Sequence, residues 1–319
     1  MSLPLRRVGK TDLSVTRIGL GAAPISWLEE ADAEAKATAC VRAALEHGIR
    51  FIDTAPMYGK GKSERWVGMG LNGLPRSEIV LETKVKRQWK SGDGIQPGQE
   101  ELLVADYSRD SILRSIENSL SRLKADRIDI LLIHDPDNHY KQALDQAFPT
   151  LADLRSEGVV RAIGAGMNQW KMPADFIRYA DPDCFLLASR YTLLEQGALE
   201  FLDLCQERSI GVFLGGVFNT GILVTGAVSG AKYFYRDAPE TILEQVRKIE
   251  AVCQRYQVPL PAAAIQFAAA HPAVASVVLG MASPEEVAED VRLWEWVIPK
   301  GFWEELKAEK LIDEKAPVP

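Results

Sequence analysis

Eight times along this chain a short apolar run is followed by a stretch with helical, amphipathic period, and few folds accommodate that rhythm. The strand-like runs are Arg17–Leu20, Arg50–Ile52, Ile79–Thr83, Ile128–Ile133, Val160–Ala165, Cys184–Ala188, Ile210–Leu214 and Ser276–Leu279. The helix-period stretches are Glu34–Glu46, Glu64–Leu71, Arg109–Leu123, Gln142–Ser156, Ala174–Ala180, Leu199–Glu207, Ile242–Tyr256 and Glu285–Trp296. Leu113, Ile116, Leu120 and Leu123 show the three-and-four spacing of a core-facing stripe. The pattern predicts an α/β chain folded as a (β/α)8 TIM barrel, and 319 residues suit such a barrel with modest insertions. Leu5 to Val15, with Gly9-Lys10-Thr11-Asp12 between two short alternating runs, predicts an N-terminal β-hairpin. No Pro/Gly/Ser-rich linker interrupts the rhythm, so residues 1–319 read as a single domain. The two longest connections, Val85–Ser108 and Gly215–Glu240, follow strands and are expected over the C-terminal mouth.

Other architectures and functions are excluded residue by residue. Pro261 to Ala282 is strongly apolar but broken by Gln266 and by His271-Pro272, which makes it a buried helix and strand rather than a membrane span. Met1 to Ser14 has no apolar stretch after its basic residues, so no signal peptide is expected there. A net charge of −7 argues against a nucleic-acid partner. Cys40, Cys184, Cys205 and Cys253 form no C-x-x-C pair, so the reading is a reduced, cytoplasmic protein without a zinc knuckle. A doubly wound nucleotide-binding sheet would favour G-x-G-x-x-G, but Gly19-Leu-Gly21-Ala-Ala-Pro24 has proline in the third glycine's place. Gly61-Lys62-Ser63 resembles the end of a P-loop, yet Pro56 stands where its first glycine belongs.

Polar residues then stand at the ends of three successive predicted strands. Phe51-Ile-Asp53 runs into a loop with Tyr58; Ile79-Val-Leu81 leads into Glu82-Thr83-Lys84; and Ile128–Ile133 leads into His134-Asp135. In a barrel these ends face one small space, so Asp53, Tyr58, Lys84 and His134 are expected to converge. A lysine after an apolar strand is costly to bury unless paired, and Asp53 is the obvious partner. A lysine ammonium beside a phenol favours the phenolate and lowers its pKa, which suits Tyr58 to proton exchange with an oxygen. His134 would orient that oxygen, and the set fits hydride chemistry at the attached carbon. His134 and His139 are spaced for neither a helical nor a strand-based ligand pair, so no metal is expected.

In this order and placement, the four residues resemble the catalytic tetrad of the aldo-keto reductase superfamily. Gly19-Leu-Gly21, Phe51-Ile-Asp-Thr-Ala55, Ser63-Glu64, Arg127-Ile-Asp129 and Ile163-Gly164 are similar to segments of that family, and the likeness covers essentially the whole chain. Asp106–Asp110, Arg127–Asp135 and Arg190–Leu194 resemble its D-threo-aldose 1-dehydrogenase branch, which includes L-fucose, L-galactose and pyridoxal 4-dehydrogenases. The resemblance implies Tyr58 as general acid/base, Lys84 and Asp53 as its tuning pair, His134 as the substrate-orienting residue, and NAD or NADP as cofactor. It implies oxidation of an aldose at C1 to the lactone, with pyridoxal or small-aldehyde chemistry as the alternative. A non-catalytic nucleotide-binding redox sensor or subunit is the reading of another class.

The cofactor side departs from the family pattern. Where many relatives have Ser-Asn and Gln around the nicotinamide amide, this chain has Gly166-Met167, with Asn168 a residue late, and Ala188; Gly215 replaces the usual stacking aromatic. Gly215, Gly216, Phe218 and Thr220 in the Gly215–Gly221 loop offer backbone N–H groups for a pyrophosphate. Gly280, Met281 and Ala282 lead into a helix that carries Glu286 and Asp290 where NADP-preferring members place bases. Acidic residues repel a 2′-phosphate and accept hydrogen bonds from a free ribose hydroxyl, so NAD is the expected coenzyme. Trp27, Trp89 and Tyr107 are expected to wall the substrate pocket, with a small sugar or aldehyde as the substrate and no nucleic-acid or membrane partner.

Overall fold

Every strand of the predicted rhythm finds its neighbour in a closed parallel ring. The computed structural model describes residues 3–85 and 106–319. Its barrel strands are β3 (Ile18–Gly21), β4 (Phe51–Asp53), β5 (Val80–Val85), β6 (Ile130–His134), β7 (Ala162–Met167), β8 (Cys184–Ala188), β9 (Gly211–Gly215) and β12 (Val274–Gly280), with β12 pairing β3 to close it. A hairpin of β1 (Leu5–Arg7) and β2 (Ser14–Thr16) covers the N-terminal end. Val8, Leu13 and Val15 from this hairpin join Phe51, Ile130, Leu132, Cys184 and Phe213 in one buried cluster inside the barrel. Gly9 has φ +50° at the hairpin tip, and a Cβ there would lie 2.5 Å from the Ser209 carbonyl oxygen. Only glycine lets the tip seat so closely.

The bottoms of the strands are stapled by one device used twice. Asp129 accepts from the Leu81 N–H at 2.9 Å and from Arg76 at 2.6 Å. Asp183 accepts from the Ile163 N–H at 3.0 Å and from Arg155 at 2.7 Å. Each buried carboxylate satisfies a strand N–H on one side and an arginine on the other, which is what makes its burial tolerable.

The sequence pattern and the structure differ mostly at the mouth. β4, β5 and β6 continue through Asp53, Lys84 and His134, because polar side chains that end an apolar pattern still keep extended backbone. The apolar segment before β12 is the helix Leu260–Ala270, as its break at His271 predicted. Several elements are not marked in the sequence pattern. A helix, Lys300–Ala308, follows the last barrel helix, and a small hairpin of β10 (Lys232–Tyr233) and β11 (Arg236–Asp237) stands within the connection after β9. Its tip is Phe234-Tyr235, both at positive φ. That two-residue turn normally advertises itself as Asn-Gly, and two aromatics conceal it. No helix among the described residues is long and apolar enough to cross a membrane.

Candidate active site

β4, β5 and β6 deliver three side chains to one spot, and a strained turn adds the fourth. Asp53 and Lys84 are buried, and the Lys84 ammonium donates to the Asp53 carboxylate and to the Thr54 carbonyl, the latter at 3.0 Å. Lys84 Nζ lies 5.0 Å from the centre of the Tyr58 ring, and the Tyr58 and His134 rings meet edge to face at 5.8 Å. Tyr58 starts a short turn in which Gly59 and Lys60 are both left-handed. A Cβ on Gly59 would lie 2.7 Å from the Ser26 Cβ, so close approach as well as φ calls for glycine.

A buried network outside the barrel wall holds this corner. Ser63 Oγ shares a hydrogen bond with Thr54 Oγ1 at 2.8 Å and donates to the Ala22 carbonyl at 2.6 Å. Thr83, which points outward between Glu82 and Lys84, donates to Glu64 at 2.8 Å, and Arg122 donates to the other Glu64 oxygen at 2.6 Å. The Ser63-Glu64 pair therefore braces the two strands that carry Asp53 and Lys84.

The electrostatics correct one expectation. Burial pushes the Tyr58 phenol up from its ordinary value, and this exceeds the opposing pull of Lys84. Burial alone would strip the Lys84 proton, but the Asp53 carboxylate outweighs it and holds the ammonium charged. Tyr58 therefore keeps its proton in the protein as it stands, and phenolate formation needs a further positive charge nearby.

The group opens into a cavity of about 580 Å3 at the barrel mouth. Of the residues singled out in the sequence, Trp27, Asp53, Tyr58, Lys84, His134, Asn168, Gly215, Gly216, Phe218, Thr220 and Gly280 line it. Trp27 is 63 % exposed, a large apolar face left bare at the rim. Tyr107, in contrast, is buried, lies 5.9 Å ring to ring from His139 and is not part of the lining. Its position just before a helix puts it into the core instead. Trp89 lies outside the described residues. Met281 is fully buried and Ala282 stands beyond the lining. Glu286 is exposed, and its carboxylate folds back to accept from the Ala282 N–H at 2.7 Å. Asp290 is buried behind it, and burial, then Glu286 and Glu289, raise its pKa to about 7. Asn168 donates to Asp135 at 3.2 Å.

Three polar lining residues were not among those expected: Asp135, Ser189 and Tyr235. Asp135 and Ser189 follow barrel strands at positive φ, and the strand-end rule that singled out His134 could have reached them. Tyr235, 82 % exposed, comes from the hairpin that the sequence concealed. Among the described residues no group of three or more His, Cys, Asp or Glu is placed to hold a metal ion.

Comparison with known proteins settles the lineage. The aldo/keto reductase family model matches residues 17–310. The chain belongs to that family. It is 38% identical to pyridoxal 4-dehydrogenase of Microbacterium luteolum over 96% of this chain and 97% of that protein. It is also 38% identical to D-threo-aldose 1-dehydrogenase of a Pseudomonas species, over 94% and 95% of the two chains. An aldo-keto reductase from Bacillus halodurans superposes with a TM-score of 0.81 at 26% identity, covering 99% of this chain and 98% of its own. This aldo/keto reductase is accordingly an NAD(P)-dependent oxidoreductase.

The residues present fit a dinucleotide. Beyond the tetrad the reductase's cavity is floored by Gly166, Gly215, Gly216, Gly221 and Gly280, so flat or phosphorylated groups can approach backbone directly. A Cβ on Gly215 would meet nothing nearer than 3.7 Å, and Gly221, at φ +92°, has nothing within 4 Å of that position.

Proposed function

We propose that this enzyme oxidises an aldose at C1 to the lactone with NAD. The observation that carries the reading is the convergence of Tyr58, Lys84 and His134 on a cavity whose rim exposes Trp27. A tryptophan face suits the C–H patches of a sugar, while three polar groups address one of its oxygens.

In this reading the sugar's anomeric hydroxyl lies between Tyr58 and His134. His134 holds the oxygen by a hydrogen bond, and Tyr58 as phenolate takes its proton. Lys84, kept charged by Asp53, stabilises that phenolate. Gly215, Gly216, Phe218 and Thr220 would hold the dinucleotide's phosphates, Gly280 its adenosine side, and Asn168 its nicotinamide amide. When bound, NAD accepts the hydride and brings a positive ring that offsets the cost of burying the phenolate. NAD is favoured over NADP because Glu286 puts a carboxyl group, and no base stands, in the first turn of the helix Pro284–Trp294.

A second reading has an observation of its own. The pyridoxal 4-dehydrogenase is as similar to this chain as the aldose dehydrogenase is. The same tetrad would then work on the C4 carbon of pyridoxal, with Trp27 against the pyridine ring.

The test is near-ultraviolet absorbance of reduced nicotinamide, with NAD or NADP and a panel of L-fucose, L-galactose, D-arabinose and pyridoxal. Sugar turnover that is faster with NAD is the expected result. Turnover on pyridoxal alone moves the substrate and keeps the mechanism. Cofactor binding with no turnover on sugars, pyridoxal or simple aldehydes overturns the proposal in favour of a nucleotide-binding subunit.

A further inference from the structure

Directly below Lys84, the barrel interior holds a carboxyl group that the reaction above does not use. Glu82 lies two residues before Lys84 on β5, so both side chains point inward, and it is fully buried. Strand register places it beside Asp53 of β4. Among the described residues its nearest cation is Lys84 Nζ at 3.9 Å, beyond hydrogen-bond reach, and that ammonium is already committed to Asp53. Neither Glu82 oxygen has a hydrogen-bond donor among the described residues. The groups that share its surroundings are Asp53 on β4, Lys84 on its own strand, Tyr58 above and Cys184 on β8. The rest of the interior around it is apolar or hydroxyl-bearing, from Phe51, Ile130, Leu132, Phe213 and Ser276.

An ionised carboxylate without a donor in such a place is among the costliest groups a fold can bury. Two carboxyls beside one lysine cannot both ionise cheaply, and the second retains a proton. Asp53 holds the direct ion pair, so the proton falls to Glu82. We propose that Glu82 stands in the barrel as a neutral carboxylic acid that donates to Asp53, a positioning residue for the Lys84–Tyr58 pair. Burial and the Asp53 charge both raise the Glu82 pKa well above its ordinary value, in agreement with that arrangement.

The consequence is electrostatic. With Glu82 neutral, Asp53 and Lys84 cancel, and the phenolate adds one net negative charge to the buried group. With Glu82 ionised, the resting group would already be negative, and Tyr58 would hold its proton far more tightly. A Glu82 hydrogen bond to Asp53 would also help keep that carboxylate aimed at the ammonium. The inference deepens the assignment of Tyr58 as acid/base and rests on it for its kinetic effect, but the protonation state itself is readable without turnover.

The first experiment is infrared spectroscopy in heavy water at about pH 8, well above the range in which ordinary carboxyls titrate. A carbonyl band of a protonated carboxylic acid is expected in the native enzyme and is expected to vanish in Glu82→Gln. No such band, or one that persists in Glu82→Gln, overturns the proposal. Turnover gives the second readout. Glu82→Ala, which removes the donor to Asp53, should lower kcat about tenfold with the cofactor KM unchanged, and Glu82→Gln should recover most of that loss. The pH profile of kcat in Glu82→Gln should stay within about half a unit of the native one, since neutral replaces neutral. A move of about one unit or more to lower pH means that a negative charge was removed, and this overturns the proposal. If Tyr58→Phe turns over normally, the acid/base reading fails while the infrared result still stands.

Discussion

The two halves of the barrel mouth solve opposite problems. On the side of β4, β5 and β6, charged side chains are buried and held by partners: Lys84 by Asp53 and Thr54, Glu64 by Thr83 and Arg122. On the side of β7, β9 and β12, the glycines Gly166, Gly215, Gly216 and Gly280 leave stretches of bare backbone between side chains such as Asn168, Phe218, Thr220 and Val278. The first half spends its sequence on orienting a few polar atoms in low dielectric, where each is worth most. The second keeps backbone exposed, so that a large ligand supplies the atoms. The difference teaches that buried charges must be matched by partners within the chain, whereas a wall of bare backbone leaves the matching groups to a ligand.

The largest effect should come from breaking the first half. Tyr58→Phe removes the hydroxyl that we propose transfers the proton and is expected to lower kcat by about 10²–10⁴. Coenzyme binding, read by fluorescence titration, should change little, because the glycine half is untouched. Loss of binding along with turnover would erase the division between the halves.

A smaller change is expected from the second half. Glu286→Arg replaces an acid by a base near the expected ribose position. It should raise kcat/KM with NADP relative to NAD about tenfold, leaving turnover at saturating coenzyme near its native value. An unchanged coenzyme ratio would show that the start of the helix Pro284–Trp294 does not read the 2′-position.

The smallest effect is on stability. Asp290 keeps its proton in the folded chain to about pH 7, against 3.8 for the ordinary group, because it is buried beside Glu286 and Glu289. The folded chain thus binds the proton more tightly than the unfolded one. The stability this contributes is full below the unfolded pKa and is lost as pH rises through the folded value. Asp290→Asn should therefore raise Tm by a few degrees above pH 7 and by less near pH 5, measured by calorimetry. A stabilisation that does not grow with pH would show that Asp290 is not protonated in the native enzyme.

The reacting half was legible in the chain for a physical reason. Asp53, Lys84 and His134 each interrupt an apolar strand pattern at its C-terminal end, and buried polar residues are rare enough to stand out. Glu82 carried a signal as well, since its spacing of two from Lys84 puts both on one face of a strand. It went unread because the neighbouring Thr83 and Lys84 already accounted for a polar strand end. Tyr107 misled because an aromatic near a predicted mouth loop looks the same whether it turns to the core or to the cavity. Tyr235 was hidden by a turn whose left-handed residues are aromatic rather than glycine or asparagine.

What the sequence determined by itself is the barrel, the order of its strands and the four polar residues at one end. These follow from hydrophobic period and from the cost of burying charge, both local properties of the chain. The tertiary structure alone decided the balance of forces at the site. It set burial against the Lys84 charge at Tyr58, placed a second carboxyl beside the ion pair, and folded Glu286 back onto its own loop. Those outcomes depend on distances between distant segments and on how much water they exclude, and no local pattern carries that information.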